Sequence, residues 1–372
     1  MRILLIGAAY PLRGGIAQYS ALLYQKLTEK GHTVDVLTFK LQYPNFLFPG
    51  KTQLETDKPL IEHLSFVRLN SINPLNWITT AFWIRKQRPD LLVFNYWMPF
   101  FAPCYATLAW FSKKRAMKSL AICHNIIPHE KKPGDLLLSK LFVRTMDSFI
   151  VHSKSIGEDL VKLKHDARFK EIHHPLYESF PPGIPKKQAK SELKIKASKV
   201  IAYFGLIRAY KGLKYLVLAM PIVLKELDVH LLIAGEFYEG KDEILNIIEQ
   251  NGLENHITLI DRFIPNQEVP FYFCAADVMV LPYVTATQSG IIQMAYHYNK
   301  PVIATEVGGL PEVVPDNRTG FIVPPKKSDA LAKAILRFYQ EDKEAEFSAN
   351  IEEEKKKYDW HYIVNAIETL SQ

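Results

Sequence analysis

Apolar residues follow two rhythms along this chain. Short unbroken runs, such as RILLIGAA near the start, alternate with longer stretches in which apolar positions recur every three or four residues. The first longer stretch, GGIAQYSALLYQKLTEKG, puts Ile16, Tyr19, Leu22, Leu23 and Leu27 on one helical face and stops at Gly31. HTVDVLTF, DLLVFNY, SLAICHN and SFIVHS continue the strand series. Continuous apolar strands separated by helices predict a parallel sheet covered on both faces. The stretch 173–199 then changes character, with four prolines, one glycine and six lysines, and reads as a linker. After it the alternation restarts: KVIAYFG, VHLLIAGE, ITLID, VMVLPY and PVIAT read as strands with helices between them. The fold class is therefore α/β, with two doubly wound parallel sheets. From Ser328 onward the chain reads as charged helix with a solvated face.

One segment tests that picture. Residues 91–112, LLVFNYWMPFFAPCYATLAWFS, carry no charge over 22 positions, the length of a membrane span. Asn95, Pro99 and Pro103 break the run, so a strand over 91–96, a loop and a following helix is expected instead. The N-terminus lacks the small-residue cleavage site of a signal peptide. The three cysteines, Cys104, Cys123 and Cys274, are far apart in apolar sequence, which suits buried small hydrophobes in a reducing, cytoplasmic compartment. The net charge of +7 favours an anionic partner: nucleic acid, a phosphorylated small molecule or an acidic membrane surface.

Doubly wound sheets bind ligands beyond the carboxyl ends of their strands. After the first strand come Gly14 and Gly15, at a helix start whose N–H groups and dipole suit an anion, or simply at a turn. The spacing matches neither the dinucleotide fingerprint nor the P-loop. His124 follows SLAIC, as a cleft residue or a satisfied core histidine, and His129 is too weakly placed to suggest a metal. FGLIRAYKGL sets Arg208 and Lys211 three residues apart, suited to a diphosphate or to a solvated basic turn. Ser289 and Gly290 open another helix, with Gln293 one turn in. Glu312 follows the pair Gly308 and Gly309, as a hydroxyl acceptor or a helix-start charge.

The stretches PLRGGIAQY, FGLIRAYKGL, LPYVTATQSGIIQMAYHYNKPVIAT and EVGGLPEVVPDNRTGFIVP, in this order, resemble a group 1 (family 4 type) retaining glycosyltransferase. The resemblance covers essentially the whole chain. It implies the GT-B fold, with two Rossmann-like domains facing each other across a cleft. These would be an acceptor-side domain over 1–178 plus a returning C-terminal helix over 359–372, anchored by Trp360, and a nucleotide-sugar donor domain over 179–358. It further implies that Gly14 and Gly15 line the donor phosphates and acceptor, and that His124 faces the transferred sugar. Arg208 and Lys211 would neutralise the diphosphate, Ser289 and Gly290 would offer backbone N–H groups to it, and Glu312 would serve as a sugar- or nucleotide-side carboxylate. The family usually carries two glutamates eight positions apart around TQSGIIQ; here those positions are Thr285 and Gln293. Gln293 can still accept from a ribose hydroxyl.

Departure of a nucleotide diphosphate builds negative charge, which fixed cations and helix N-termini can stabilise. No Asp-x-Asp triplet is present, so neither a metal nor another cofactor is expected. The expected function is hexosyl transfer from a nucleotide-diphospho-sugar to a glycan or lipid-linked acceptor, in cell-envelope polysaccharide or glycolipid synthesis. The alternatives are a nucleotide-sugar binding protein with weak or no activity, or an epimerase of the same plan. A nucleic-acid partner is not expected, since no such module is present. Trp77, Trp83, Trp97, Phe100, Phe101, Trp110 and Phe111, with Arg85, Lys86, Arg88, Lys113, Lys114, Arg115 and Lys118, suggest peripheral attachment to an anionic membrane surface on the cytoplasmic side.

Overall fold

The structure is a computed structural model that describes residues 1–44, 47, 48, 50, 52–55, 57–114, 116–128 and 132–372. The chain divides into two compact units: Met1–Pro175 with Tyr358–Gln372, and Leu176–Lys357.

The first unit carries a seven-stranded parallel sheet. Its strands are β1 (Arg2–Ile6), β2 (Thr33–Leu41), β3 (Ser65–Asn70), β4 (Leu91–Tyr96), β5 (Lys118–Cys123), β6 (Ser148–Val151) and β7 (Phe169–Glu171). They run in the order β3-β2-β1-β4-β5-β6-β7. All six residues of β4 are buried, as a central strand covered on both faces must be. The strand order reverses between β1 and β4, so the crevice of this sheet lies beyond Ile6 and Tyr96. The 91–112 run resolves as expected into β4, a short 3-10 turn (Pro99–Phe101) and a helix (Ala102–Ser112). Among the described residues, no helix is long and apolar enough to cross a membrane.

The closing helix Trp360–Ser371 belongs to this first unit. Its apolar face buries Ile363, Val364, Ile367 and Leu370. At roughly 2 kcal/mol per aliphatic side chain, that burial suffices to hold a three-turn helix that would not persist alone. Asp359 caps its N-terminus by accepting from His361 N at 2.7 Å. Trp360 packs its ring 5.1 Å from that of Tyr19.

The second unit carries β8 (Val200–Phe204), β9 (His230–Ala234), β10 (Ile257–Ile260), β11 (Val278–Leu281), β12 (Val302–Thr305) and β13 (Gly320–Val323). They are parallel in the order β10-β9-β8-β11-β12-β13. Here the order reverses between β8 and β11, which places the loops 205–212 and 282–289 at the crevice. At the opposite end of the sheet, buried Asp277 accepts from Val200 N at 2.7 Å and from Tyr339 Oη at 2.8 Å, and pairs with Lys186 at 2.6 Å. That saturated carboxylate locks β8 to β11 at their amino ends.

The charged C-terminal segment is less uniformly solvated than its composition suggests. Glu354 is buried and pairs with Lys357 and Arg318.

Candidate functional site

Each unit presents its own cluster at the carboxyl ends of its strands. In the first unit, Gly14 caps the helix Gly15–Glu29 with φ 106°, a conformation that favours glycine, and no side chain caps that helix. An added Cβ at Gly14 would meet nothing within 4 Å, so the backbone there is open. The turn is held from behind: Arg13 N donates to Gln53 O at 3.0 Å, and Glu55 N donates to Pro11 O at 2.9 Å.

His124 lies one residue past β5 and is buried. Its tautomer follows from a chain of donors. Ser20 Oγ donates to Ala8 O at 2.6 Å. Asn95 Nδ2 donates to Ser20 Oγ at 2.9 Å, which leaves Asn95 Oδ1 to accept from His124 Nε2 at 3.3 Å. His124 Nδ1 is then a bare lone pair with no partner. Two more buried imidazoles face it, His152 with ring centroids 5.1 Å away and His174 at 5.9 Å, and the Tyr19 ring meets it edge-on at 4.6 Å. Burial first, then the neighbouring imidazoles, hold His124 well below its ordinary value. His124 is therefore neutral.

Sequence reading singled out His124 and missed Asn95, Ser20, His152 and His174. The signal was available only in part: all but Ser20 lie at or just beyond a strand's carboxyl end, but nothing in one sequence says that four strand ends converge. Gly7 serves the same cluster, because a Cβ there would come within 2.9 Å of Asn95 Cβ. His129 lies outside the described residues.

In the second unit, the loop after β8 carries Arg208 and Lys211, both half-buried. Neither forms an ion pair with a carboxylate among the described residues. Arg208 stacks its guanidinium 5.1 Å over the Tyr238 ring, and Lys211 sits 5.7 Å over Tyr283. Burial, and secondarily the charge of Arg208, pushes the Lys211 ammonium down to about 8. The loop is folded tightly onto its neighbour: Val284 N donates to Tyr210 O at 2.7 Å. Gly212, at φ 66°, has no room for a side chain, since a Cβ would collide with the Pro282 carbonyl. We expect Gly212→Ala to cost about 3 kcal/mol through strain and displacement of that loop. A Tm in the variant within a degree of the parent would contradict the expectation.

Ser289 precedes the helix Gly290–His297 without capping it, its hydroxyl lying 3.2 Å from Tyr283 Oη instead. The first turn of this helix and the Lys211 ammonium flank one glycine. A Cβ on Gly205 would meet Ile291 Cδ1 at 3.2 Å and Lys211 Nζ at 3.5 Å. Gln293 is buried and its Oε1 has no partner. The next loop is tied to the same place: Gly309 N donates to Thr287 O at 2.9 Å. Glu312 stands exposed in the short turn Leu310–Val313. The second unit thus gathers Arg208, Lys211, Ser289, Gly290, Gln293 and the Glu312 turn at one sheet edge, while Gly14, Gly15 and His124 belong to the first unit. Among the described residues, no group of three or more His, Cys, Asp or Glu side chains could hold a metal ion.

Two family descriptions match the chain in tandem: "Glycosyltransferase Family 4" over residues 13–176 and "Glycosyl transferases group 1" over residues 198–341. An uncharacterized glycosyltransferase of Methanocaldococcus jannaschii is 23% identical over 98% of this chain and 96% of its own length. A D-inositol 3-phosphate glycosyltransferase of Mycobacteroides abscessus is 30% identical over 51% of this chain and 43% of its own. Among solved structures, sucrose-phosphate synthase of Thermosynechococcus elongatus superposes with a TM-score of 0.77 at 20% identity, covering 100% of this chain and 98% of that one. HepE of Anabaena, solved in complex with UDP and glucose, gives 0.76 at 19% identity over 100% and 99%. Two family matches that follow the order of the two sheets, and superposition over the whole chain, agree: the chain belongs to the group 1 glycosyltransferases of the GT-B fold.

Proposed function

We propose that this glycosyltransferase moves a hexosyl group from a nucleotide-diphospho-sugar to a glycan or lipid-linked acceptor, with retention of configuration and without a metal ion, in cell-envelope polysaccharide or glycolipid synthesis. One observation carries the reading. Arg208 and Lys211, with no carboxylate partner among the described residues and the Lys211 proton affinity lowered, stand at the switch point of the second sheet, where Lys211 lies beside an uncapped helix N-terminus. A site that tolerates uncompensated positive charge is built to receive negative charge. A pyrophosphate supplies it in the ground state, and supplies more as the sugar leaves. The binding of UDP to HepE supports a nucleotide diphosphate as the ligand class.

In this reading Arg208 forks onto the phosphate oxygens while Lys211 acts as a point charge. Gly290 and its neighbours add backbone N–H donors. These groups do what a divalent ion would otherwise do. Gln293 Oε1, buried and unpartnered, accepts from a ribose hydroxyl, and Glu312 accepts from a hydroxyl of the sugar or nucleotide. On the first unit, the open backbone at Gly14, followed by Gly15, lets donor phosphate or acceptor approach closely. His124, neutral and with Nδ1 bare, accepts from a hydroxyl of the transferred sugar.

The test is transfer of label from a panel of sugar nucleotides to lipid-linked and oligosaccharide acceptors in excess chelator, with the anomer of the product assigned by NMR. Binding without transfer would favour a pure binding protein. A new sugar nucleotide formed without acceptor would favour an epimerase. An inverted anomer or loss of activity to chelation would overturn the mechanism.

The Lys211 value has its own consequence. A bound pyrophosphate favours the ammonium, so it raises this pKa above about 8. UDP affinity is then flat between about pH 7 and about pH 7.5, where the terminal phosphate is already ionised, and weakens by up to tenfold per pH unit above about pH 8, with proton uptake on binding. Lys211→Arg, which keeps its charge, flattens the dependence. Calorimetry in buffers of different ionisation enthalpy reads both effects, and an unchanged dissociation constant up to about pH 9.5 in the parent protein would refute the linkage.

A further inference from the structure

Three helices of the first unit pack side by side: Pro74–Gln87 against Ala102–Ser112, and the latter against Asp135–Thr145. Their inner faces supply Ile84, Tyr105, Leu108, Phe142 and Val143 to the core. Their outer faces are apolar as well. Leu75, Trp110 and Leu137 are exposed by 75%, 71% and 73%, and Phe82, Phe111 and Leu141 are also exposed.

These exposed positions are not scattered. Leu75, Thr79, Phe82 and Lys86 follow i, i+4, i+7, i+11 spacing along the outer line of the first helix, and exposed Trp110 and Phe111 close the helix beside it, with exposed Lys114 just past its end. Soluble surfaces rarely keep so many large apolar side chains together without a partner. The charge on the layer is one-sided. Its three helices hold a single carboxylate, Asp135, which accepts from Lys132 N at 2.7 Å beside its own helix start. Against it stand Arg85, Lys86, Lys140 and Arg144, with Lys114 just past the second helix, all exposed and none paired with a carboxylate among the described residues. Lys114 instead donates to the Arg85 carbonyl at 3.2 Å, which binds the basic ends of two helices together. Lys113 is engaged elsewhere, with Asp147 at 2.9 Å.

The structure also corrects which aromatic residues can take part. Trp77 donates to Asn70 O at 2.6 Å, Trp97 donates to Tyr43 Oη at 3.0 Å, Phe101 is fully buried, and Trp83 packs against the core beneath Arg68. They build the layer rather than its outer surface. Arg115 lies outside the described residues.

We propose that this three-helix layer is the face by which the protein lies on an anionic phospholipid bilayer. Trp110, Phe111, Phe82 and Leu75 enter the headgroup–acyl boundary, and Arg85, Lys86, Lys114, Lys140 and Arg144 meet the lipid phosphates. Apolar side chains ringed by cations with almost no anion match such a surface in both chemistry and sign. A neutral oligosaccharide would leave those cations without counter-charge. A second copy of the chain would bring like charges together. The inference rests on this unit alone and stands or falls independently of the transferase chemistry.

The experiment is co-sedimentation of the full chain with vesicles of phosphatidylcholine alone and of phosphatidylcholine mixed with phosphatidylglycerol, at low and high salt. Binding is expected to the mixed vesicles only and to fall with salt. Lys86→Glu, Lys140→Glu and Arg144→Glu should each lower the partition coefficient roughly fivefold or more. Trp110→Ser should lower it further while leaving Tm unchanged, because the side chain is exposed. Equal binding to both vesicle types, or partitioning indifferent to Trp110→Ser and the charge reversals, would overturn the proposal. So would a dimer in sedimentation velocity that Trp110→Ser dissociates, with no vesicle binding by the parent protein.

Discussion

Replacing both Arg208 and Lys211 with alanine should lower the turnover number by at least about a thousandfold and leave the protein as stable as before, or more so. The first half follows from charge. Removal of one preorganised donor to a developing anion typically reduces turnover by about a hundredfold to a thousandfold, and two act here on the same leaving group. The second half follows from what the cations do in the unliganded protein. Lys211 carries its charge in a setting that lowers its pKa from 10.5 to about 8. That shift means the charged form is held against a penalty on the order of 3 kcal/mol. The penalty is fully present below about pH 8 and disappears only above the unfolded-state value. Alanine removes it, at the loss of a few methylene contacts against Tyr283. A residue placed for structure would show the opposite pair of effects: stability lost with activity. Steady-state kinetics with saturating donor and a thermal melt of the same variant decide the matter. A rate within tenfold of the parent protein would show that neither cation stabilises the leaving group.

This pairing of unsatisfied groups with the carboxyl edge of a sheet also explains what could be read in advance. The central strands announced themselves, because strands buried on both faces are unbroken apolar runs: β1, β4, β5, β8, β9, β11 and β12 all were. Of the four edge strands only β10, the ITLID run, did so. β3 exposes Phe66, Val67 and Arg68, β7 is three residues long, and β13 begins at Gly320. None of these has the run or the alternation that marks a strand, and each forms because a neighbour already in the sheet offers its ladder. On the candidate site, the motif-bearing loops were legible because glycine and paired cations are conspicuous. That loop 205–212 is locked against loop 282–289 was not, since the lock is a carbonyl fitting where Gly212 lacks a side chain. The aromatic residues between 77 and 111 were visible as a group, but which of them face outward depends on three helices packing in one layer. Composition carries no such information.

The histidine cluster was the least legible feature, and it yields the other large effect: the first unit should lose stability steeply as pH falls from about 6.5 to about 4. His152 and His174 are buried with His124, their rings 5.0 Å apart. Burial, with the neighbouring imidazole adding to it, holds His152 down to about 3. Burial holds His174 down to about 4. Each has one backbone acceptor working the other way, Ile172 O at 2.9 Å and Pro175 O at 2.8 Å, and neither wins against desolvation. All three rings are therefore neutral in the folded protein below the pH at which they protonate in the unfolded chain. The unfolded state takes up protons that the folded state refuses, so stability is intact above about pH 6.5 and falls below it. Each ring contributes up to about 1.4 kcal/mol per pH unit, so at about pH 5 the three together approach 6 kcal/mol, an upper bound. Other lowered histidines, such as His63, add in the same direction. The urea midpoint of the first unit, followed from about pH 7 to about pH 5, should drop accordingly. His152→Gln keeps a donor for Ile172 O but cannot titrate, and should reduce the slope by about one proton's worth. A midpoint that stays level over that range would mean that the cluster opens to water and protonates without disturbing the fold. The same opening would make His124 a cation, and a cationic His124 could no longer accept a hydroxyl of the sugar through Nδ1.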